Sequence, residues 1–317
     1  MKAFNHTNAK NLAEAKTALA KGEAELIAGG TDLIGRLKDN ILPLHPTALI
    51  NIKTIDGLDY IKEEAGVLKI GATTRLADIA ANSVISQKYT ALAQAAGRVA
   101  TPHVRDMGTI GGNLAQLHRC WYFRKPENRF PCVRKNGTTC YAMTGDNRYH
   151  SIFGAVNRCI AVNISDTAPA LIALNAKILT TSRTIDADSF FDVKNPGNTV
   201  LAAGEIIKEI QIPAPPAGAR SAFLKFAIRK SIDFPIVNCA VLVGGGPARI
   251  ALNAVAPKPY RATKAEAVIA GKPINDANAE AAAAAALEDA KPLTATRYKL
   301  QIARTLVKRA LLRTRTL

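Results

Sequence analysis

The sequence predicts an α+β protein in which an N-terminal α/β part is followed by an antiparallel sheet carrying helices. Three observations carry this. A β-turn-α-β pattern occupies about the first 50 residues. The run Pro213-Ala214-Pro215-Pro216 breaks the composition and marks a linker. Beyond it, strand candidates at 221–229, 236–244 and 248–255 precede an Ala-rich helix at 276–290 and a basic helix at 295–313.

In chain order, Leu12, Ala15, Ala18 and Leu19 share one face of a helix over 9–21. Glu25-Leu26-Ile27-Ala28 reads as a strand, ending at Gly29-Gly30; Thr31-Asp32 then offers a helix N-cap before Leu33, Ile34 and Leu37. A second strand covers 47–52, and two more flank the turn at Glu64-Ala65-Gly66. Helices are expected at 74–82 and 84–98, a Gly-rich turn at 108–113, a helix from Asp166 to Ala176 and a strand at 177–181. Residues 114–160 are polar, contain cysteines and lack periodicity, as in an inserted loop held by something other than a core.

Composition narrows the function classes. At 48% hydrophobic and 21% charged, the 317-residue chain can bury a real core and is not a disordered one. No apolar run approaches the roughly 18 residues that cross a bilayer. The start, Met1-Lys2-Ala3-Phe4-Asn5-His6, is not a basic stretch leading into an apolar one, so no secretory signal is expected. A chain can also be exported with a partner that carries the signal, which leaves cytoplasm and periplasm both open. The net charge of +17 favours acidic partners or anionic ligands. Basic residues are spread out and aromatics make up only 5%, against a nucleic-acid surface; Lys299, Arg304, Lys308 and Arg309 read as a solvated or docking helix face.

Two Gly-rich turns suit a phosphate-bearing ligand. Ala28-Gly29-Gly30-Thr31-Asp32 joins a strand to a helix, where close backbone approach and the helix N-terminus favour an anion. Gly108-Thr109-Ile110-Gly111-Gly112-Asn113 adds a hydroxyl and an amide side chain. Neither turn is a Gly-x-Gly-x-x-Gly fingerprint, which disfavours a Rossmann nicotinamide site.

Four of five cysteines follow the pattern Cys120-x11-Cys132-x7-Cys140-x18-Cys159; Cys239 lies in an apolar run and reads as a buried strand residue. Paired Cys-x2–4-Cys knuckles, usual for zinc, are lacking. Two disulfides would need an oxidising compartment. An iron–sulfur cluster tolerates long irregular spacing, and the loop's Arg and Lys residues would lower the thiol pKa values and favour ligation. Trp121-Tyr122-Phe123 reads either as packing or as an apolar shield over such a centre.

Taken together, Ala28-Gly29-Gly30-Thr31-Asp32-Leu33, Gly108–Leu114, Ser165-Asp166-Thr167-Ala168-Pro169-Ala170, Lys225-Phe226-Ala227-Ile228-Arg229 and Val255–Ala262 resemble the FAD-binding subunit of molybdenum hydroxylases, the group of xanthine dehydrogenase, carbon monoxide dehydrogenase and aldehyde oxidase. The inserted cysteine loop resembles two sub-branches with an extra [4Fe–4S] cluster: the flavin subunit of bacterial periplasmic-type aldehyde oxidoreductases and the β subunit of 4-hydroxybenzoyl-CoA reductase. Arg158-Cys159-Ile160-Ala161 shortly before Ser165-Asp166 is closer to the aldehyde branch.

The resemblance implies a vanillyl-alcohol-oxidase-type fold, with FAD-binding subdomains at 1–56 and 57–215, the cluster loop inserted at about 115–160, and a C-terminal domain at 216–317 with a three-stranded antiparallel sheet. It implies that Leu26, Ile27, Ala28, Gly29, Gly30, Thr31, Asp32, Leu33 and Ile34 cradle the pyrophosphate. Thr109, Gly112 and Asn113 would meet the phosphate and ribitol region, Asp166 an FAD hydroxyl or the adenine side, and Lys225 the flavin. Cys120, Cys132, Cys140 and Cys159 would ligate the cluster. Partners would be a large molybdenum-cofactor subunit and a small [2Fe–2S] subunit, with electrons passing through FAD to an external acceptor. Electron flow is reversed in the reductase branch. No acid–base or nucleophilic set is expected on this chain, and a zinc-stabilised nucleic-acid-binding protein is the alternative from another class.

Overall fold

The computed structural model describes residues 1–316. Its first sheet is parallel, built from β1 (Asn5–Asn8), β2 (Ala24–Ile27) and β3 (Ala48–Asn51) in the order β1-β3-β2. The crossovers carry α1 (Leu12–Ala20) and α2 (Leu33–Lys38), since parallel neighbours cannot be joined by a tight turn. β1 escapes sequence reading because all four of its residues are polar and exposed.

β4 (Ile61–Glu64) and β5 (Val67–Gly71) pair as expected about Ala65 and Gly66, both in the left-handed region. Next come α3 (Leu76–Ala81), α4 (Ser83–Lys88), α5 (Thr90–Gly97), α6 (Pro102–Met107) and α7 (Ile110–Ala115). The expected helix over 84–98 is therefore two helices, with Asn82 capping the first through the Ile85 N–H. The Gly-rich stretch is itself helical: Thr109 caps α7 by accepting from the Gly112 N–H. Past the cysteine loop, which holds the short α8 (Tyr141–Thr144), lie α9 (Thr167–Ala173), β6 (Lys177–Thr180), β7 (Thr184–Asp186), α10 (Ala187–Phe190) and β8 (Ile207–Pro213). The second sheet runs β4-β5-β8-β6-β7, antiparallel throughout. Leu68, Ile70, Ile178, Ile210 and Ile212 from it pack on Ile79, Leu92 and Leu171 in one buried core.

β9 (Arg220–Phe226), β10 (Val237–Val243), β11 (Arg249–Asn253) and β12 (Tyr260–Arg261) form the third sheet in the order β12-β11-β10-β9. It is antiparallel as expected but has four strands, not three: the two residues of β12 extend the edge. α11 (Thr263–Ile269), α12 (Asp276–Ala285) and α13 (Tyr298–Arg313) cover it, with Val241, Leu252, Ala282, Ala303 and Val307 in its core. Cys239 is fully buried in β10, as its apolar run predicts. Small residues join this sheet to the second unit: Ala91, Ala95, Ala170 and Ala173 meet Phe223 and Ala240. Among the described residues no helix is long and apolar enough to cross a membrane.

The basic α13 corrects one expectation. Lys299 is fully buried, and its Nζ donates to the carbonyl oxygens of Ala254 at 2.6 Å and His150 at 3.0 Å. Arg304 and Lys308 do face outward, and both pair with Glu280. Lys299 thus pins the end of the cysteine loop to the third sheet. Replacing it with Met strands two buried carbonyls, and Lys299→Met should lower stability by about 2–4 kcal/mol in denaturant unfolding.

Candidate functional site

The two glycine turns meet. Gly29 packs on the turn after α6 so closely that an added Cβ would overlap the Met107 carbonyl, and only glycine allows that approach. A cavity of about 420 Å³ opens beside this contact. Leu26, Ile27, Ala28, Gly29, Gly30, Thr31, Asp32 and Leu33 line one wall; Thr109, Gly112 and Asn113 line the other. Gly30 has φ +69°. The N–H groups of Gly30, Thr31, Asp32 and Leu33 find no acceptor among the described residues, so this turn presents free donors.

Three of the expected residues do not line this cavity. Ile34 is exposed, beside Gly30. Asp166 and Lys225 are brought together with each other, 2.6 Å apart with side chains 4% and 3% exposed. Asn238 donates to the other Asp166 oxygen at 2.7 Å, and Lys225 also donates to the Arg98 carbonyl. Burial pushes the Asp166 carboxyl above its ordinary pKa, against the pull of Lys225. The pair joins α9 to the third sheet. Nearby, the side-chain Oδ1 of Asn113 accepts from Ser165 at 2.5 Å and Thr167 at 2.7 Å, tying the second glycine turn to the same segment.

Asp32 occupies the expected cap position, yet it makes no side-chain cap bond. Its carboxylate accepts from Arg119, from Arg124 at 2.7 Å and from the Leu117 N–H at 3.0 Å. Arg36 lies 3.8 Å away, and its Nε, buried at the cavity wall, has no hydrogen-bond partner. Burial opposes ionisation of Asp32, but Arg124, Arg119 and Arg36 outweigh it and hold the carboxyl well below the usual range. Sequence reading missed Arg36, Gln116 and Arg119 as cavity residues, because only the folded loop brings the latter two to the glycine turn.

A second cavity, of about 220 Å³, adjoins the first where the Arg119 guanidinium stacks on Phe234, 4.7 Å from the ring centre. Trp121, Ile228, Pro235 and Ile236 make it largely apolar. Cys120 lies on its wall. The same Cys120, with Cys132, Cys140 and Cys159, lines a third and much smaller cavity of about 10 Å³. All four are free thiols. As they stand, no group of three or more His, Cys, Asp or Glu side chains among the described residues is arranged to hold a metal ion. The expected lowering of the thiol pKa values is not found: burial dominates, pushes Cys120 up to about 12, and raises Cys132 and Cys159 despite nearby cations. Trp121 donates to the Asp146 carbonyl at 2.9 Å and packs edge-on to Tyr149; Phe123 is fully buried. Of the histidines near these turns, His103 is exposed, whereas His118 and His150 are buried at the cysteine cavity or beside it.

This architecture is that of an FAD-binding domain followed by a flavoprotein C-terminal domain. Residues 2–215 match the family model described as the FAD binding domain in molybdopterin dehydrogenase, and residues 222–314 match the CO dehydrogenase flavoprotein C-terminal domain. The chain is 35% identical over 279 residues to the aldehyde oxidoreductase FAD-binding subunit PaoB of Escherichia coli, covering 84% of this chain and 86% of that one. It is 30% identical to the carbon monoxide dehydrogenase medium chain of Hydrogenophaga pseudoflava, over 97% of this chain and 96% of the other. A solved structure of carbon monoxide dehydrogenase from Hydrogenophaga pseudoflava superposes with a TM-score of 0.77 at 28% identity, covering 99% of this chain and 98% of that one. The chain belongs to the family of FAD-binding subunits of molybdenum hydroxylases.

Two outcomes follow from the ion pairs. Lys225→Met strands the buried Asp166 carboxyl and should cost about 3–5 kcal/mol in denaturant unfolding, with much of the loss recovered in Lys225→Met/Asp166→Asn. Asp32, whose folded pKa lies below its ordinary 3.8, contributes stability that is complete well above that value, begins to be lost as pH falls below it and is gone only below the folded pKa. Thermal melts from pH 7 to pH 3 should therefore fall more steeply for the wild type than for Asp32→Asn.

Proposed function

We propose that this chain holds FAD along the glycine cavity and a [4Fe–4S] cluster within the cysteine loop, as the electron-transfer subunit of a heterotrimeric molybdenum hydroxylase acting on aldehydes. One observation carries the reading: Cys120 forms part of both the small cysteine cavity and the apolar cavity that adjoins the glycine turns. A redox centre on these thiols would sit beside a flavin in the neighbouring space, with a single residue between them.

The residues present suit FAD. The free N–H groups of Gly30, Thr31, Asp32 and Leu33 would donate to a pyrophosphate, and Arg36, whose Nη2 pairs with Glu25, keeps its Nε as a further donor at the same wall. Asp32 does not repel the phosphates, because Arg119 and Arg124 already neutralise it. Asn113, its side-chain Oδ1 taken by Ser165 and Thr167, offers its amide nitrogen to the ribitol side beside Thr109 and Gly112. The apolar residues beyond Arg119 and Phe234 would shield a flavin ring from water. Asp166 and Lys225, through their bond to each other, hold α9 to the third sheet. FAD, when bound, accepts electrons and passes them on; the protein positions it and sets the local charge.

The cysteine loop suits a cluster by its donor set: four unpaired thiols converge, and buried cations lie next to them. A large molybdenum-cofactor subunit and a small [2Fe–2S] subunit would supply the electrons. Aldehyde as substrate class draws on the aldehyde oxidoreductase relative and on its share of identical residues.

The test is an absorbance spectrum of the purified complex together with metal analysis. Flavin bands, broad iron–sulfur absorption and iron beyond what a [2Fe–2S] partner holds are expected, and Cys132→Ser should lose the excess iron while keeping its flavin. Flavin without excess iron would refute the cluster; zinc without flavin would refute the whole reading.

A further inference from the structure

The cysteine cavity is bordered by cations that no carboxylate among the described residues pairs with. Arg134 is 2% exposed. Its guanidinium donates to the carbonyl oxygens of Lys194 at 2.7 Å, Pro196 at 2.9 Å and Gly197, and to Asn198 Oδ1 at 2.5 Å. The remaining direction, Nη1, points at Cys159 Sγ from 3.8 Å. Every acceptor in this set is neutral, and no carboxylate among the described residues pairs with it.

Lys135 repeats the pattern. It is 6% exposed, its Nζ has no hydrogen-bond partner, and it stands 5.1 Å from the centre of the Phe123 ring, a weak contact for a full charge. Phe123 in turn packs with Cys132 and Cys120. Two adjacent buried cations without a counter-ion carry a large desolvation cost. His118, 1% exposed, adds an imidazole at the cavity wall with neither ring nitrogen bonded.

We propose that Arg134 and Lys135 are the counter-charges of an anionic metal–sulfur centre on the four cysteines, and that they set its reduction potential. The inference rests on the cluster reading above and deepens it. A cubane with four thiolates is a dianion when oxidised, and two cations match it. An electron arriving from the flavin or from a partner's cluster adds one negative charge and breaks no bond. Cations held nearby stabilise that more negative form, the more strongly because water is excluded. Arg134 is fixed by its carbonyl partners and contributes a rigid charge. Lys135, free of any partner, is the one whose removal disturbs the loop least.

The experiment uses the purified complex, with iron per chain, flavin per chain and an EPR-monitored redox titration as readouts. Lys135→Met should retain iron and flavin while the oxidised-to-reduced ratio at a fixed potential rises about tenfold, a midpoint lower by about 59 mV for one electron. Lys135→Arg should keep the wild-type midpoint. Iron lost in Lys135→Met but kept in Lys135→Arg would equally support a counter-charge. An unchanged midpoint with iron retained in Lys135→Met would overturn this inference and leave the cluster standing, as would iron lost from both variants. A wild-type complex without the excess iron would overturn the cluster reading and this inference with it.

Discussion

The carboxylate of Asp32 is the constraint on which the site's geometry depends. It sits at the end of the first glycine turn and accepts from Leu117, Arg119 and Arg124, all at the start of the cysteine loop. An ionised carboxylate offers about four acceptor sites and no donor, so it can gather several cations from different parts of a chain. In a partly dry setting each of these bonds is stronger than in water. Asp32 therefore fixes where the loop leaves the cavity wall and places the Arg119 guanidinium against Phe234. The boundary between the glycine cavity and the apolar cavity follows from that one carboxylate.

Behind the cavity the three sheets are set by two kinds of contact. Alanines on α5 and α9 allow the second and third units to approach closely, but such a surface has little orientational preference. Direction comes from the buried polar seam. Asn113 holds Ser165 and Thr167, Asp166 holds Lys225 and Asn238, and Asn253 holds Asn163 and the Ser165 carbonyl. Directional buried bonds of this kind orient the second glycine turn and α9 against the third sheet.

Several of the chain's cations serve its internal structure. Arg119 and Arg124 serve Asp32, Arg134 gathers carbonyls from 194–198, and Lys299 anchors the loop's far end. The inserted loop has only small apolar clusters, such as Ile41, Leu117, Phe123 and Cys132, so these cationic bonds supply the order that a core would otherwise give.

Local pattern alone was sufficient for the strands on either side of Gly66, the antiparallel C-terminal sheet, the buried Cys239 and both glycine turns. Alternation, turn chemistry and glycine's backbone freedom act over a few residues and so are legible without a fold. What pattern could not convey was partner choice. Asp32 has the residue type and position of an N-cap, yet three arginines outbid the helix for it, two of them from residues 119–124. Asp166 and Lys225, expected at the cofactor, satisfy each other because burial leaves neither charge a cheaper option. Lys299 looked like a surface lysine and is buried, and β1 looked like nothing because its residues are polar and exposed. The sequence by itself determined the elements and the chemical inventory; tertiary structure decided which charges meet, because electrostatic energy depends on distances and burial that only the folded chain sets.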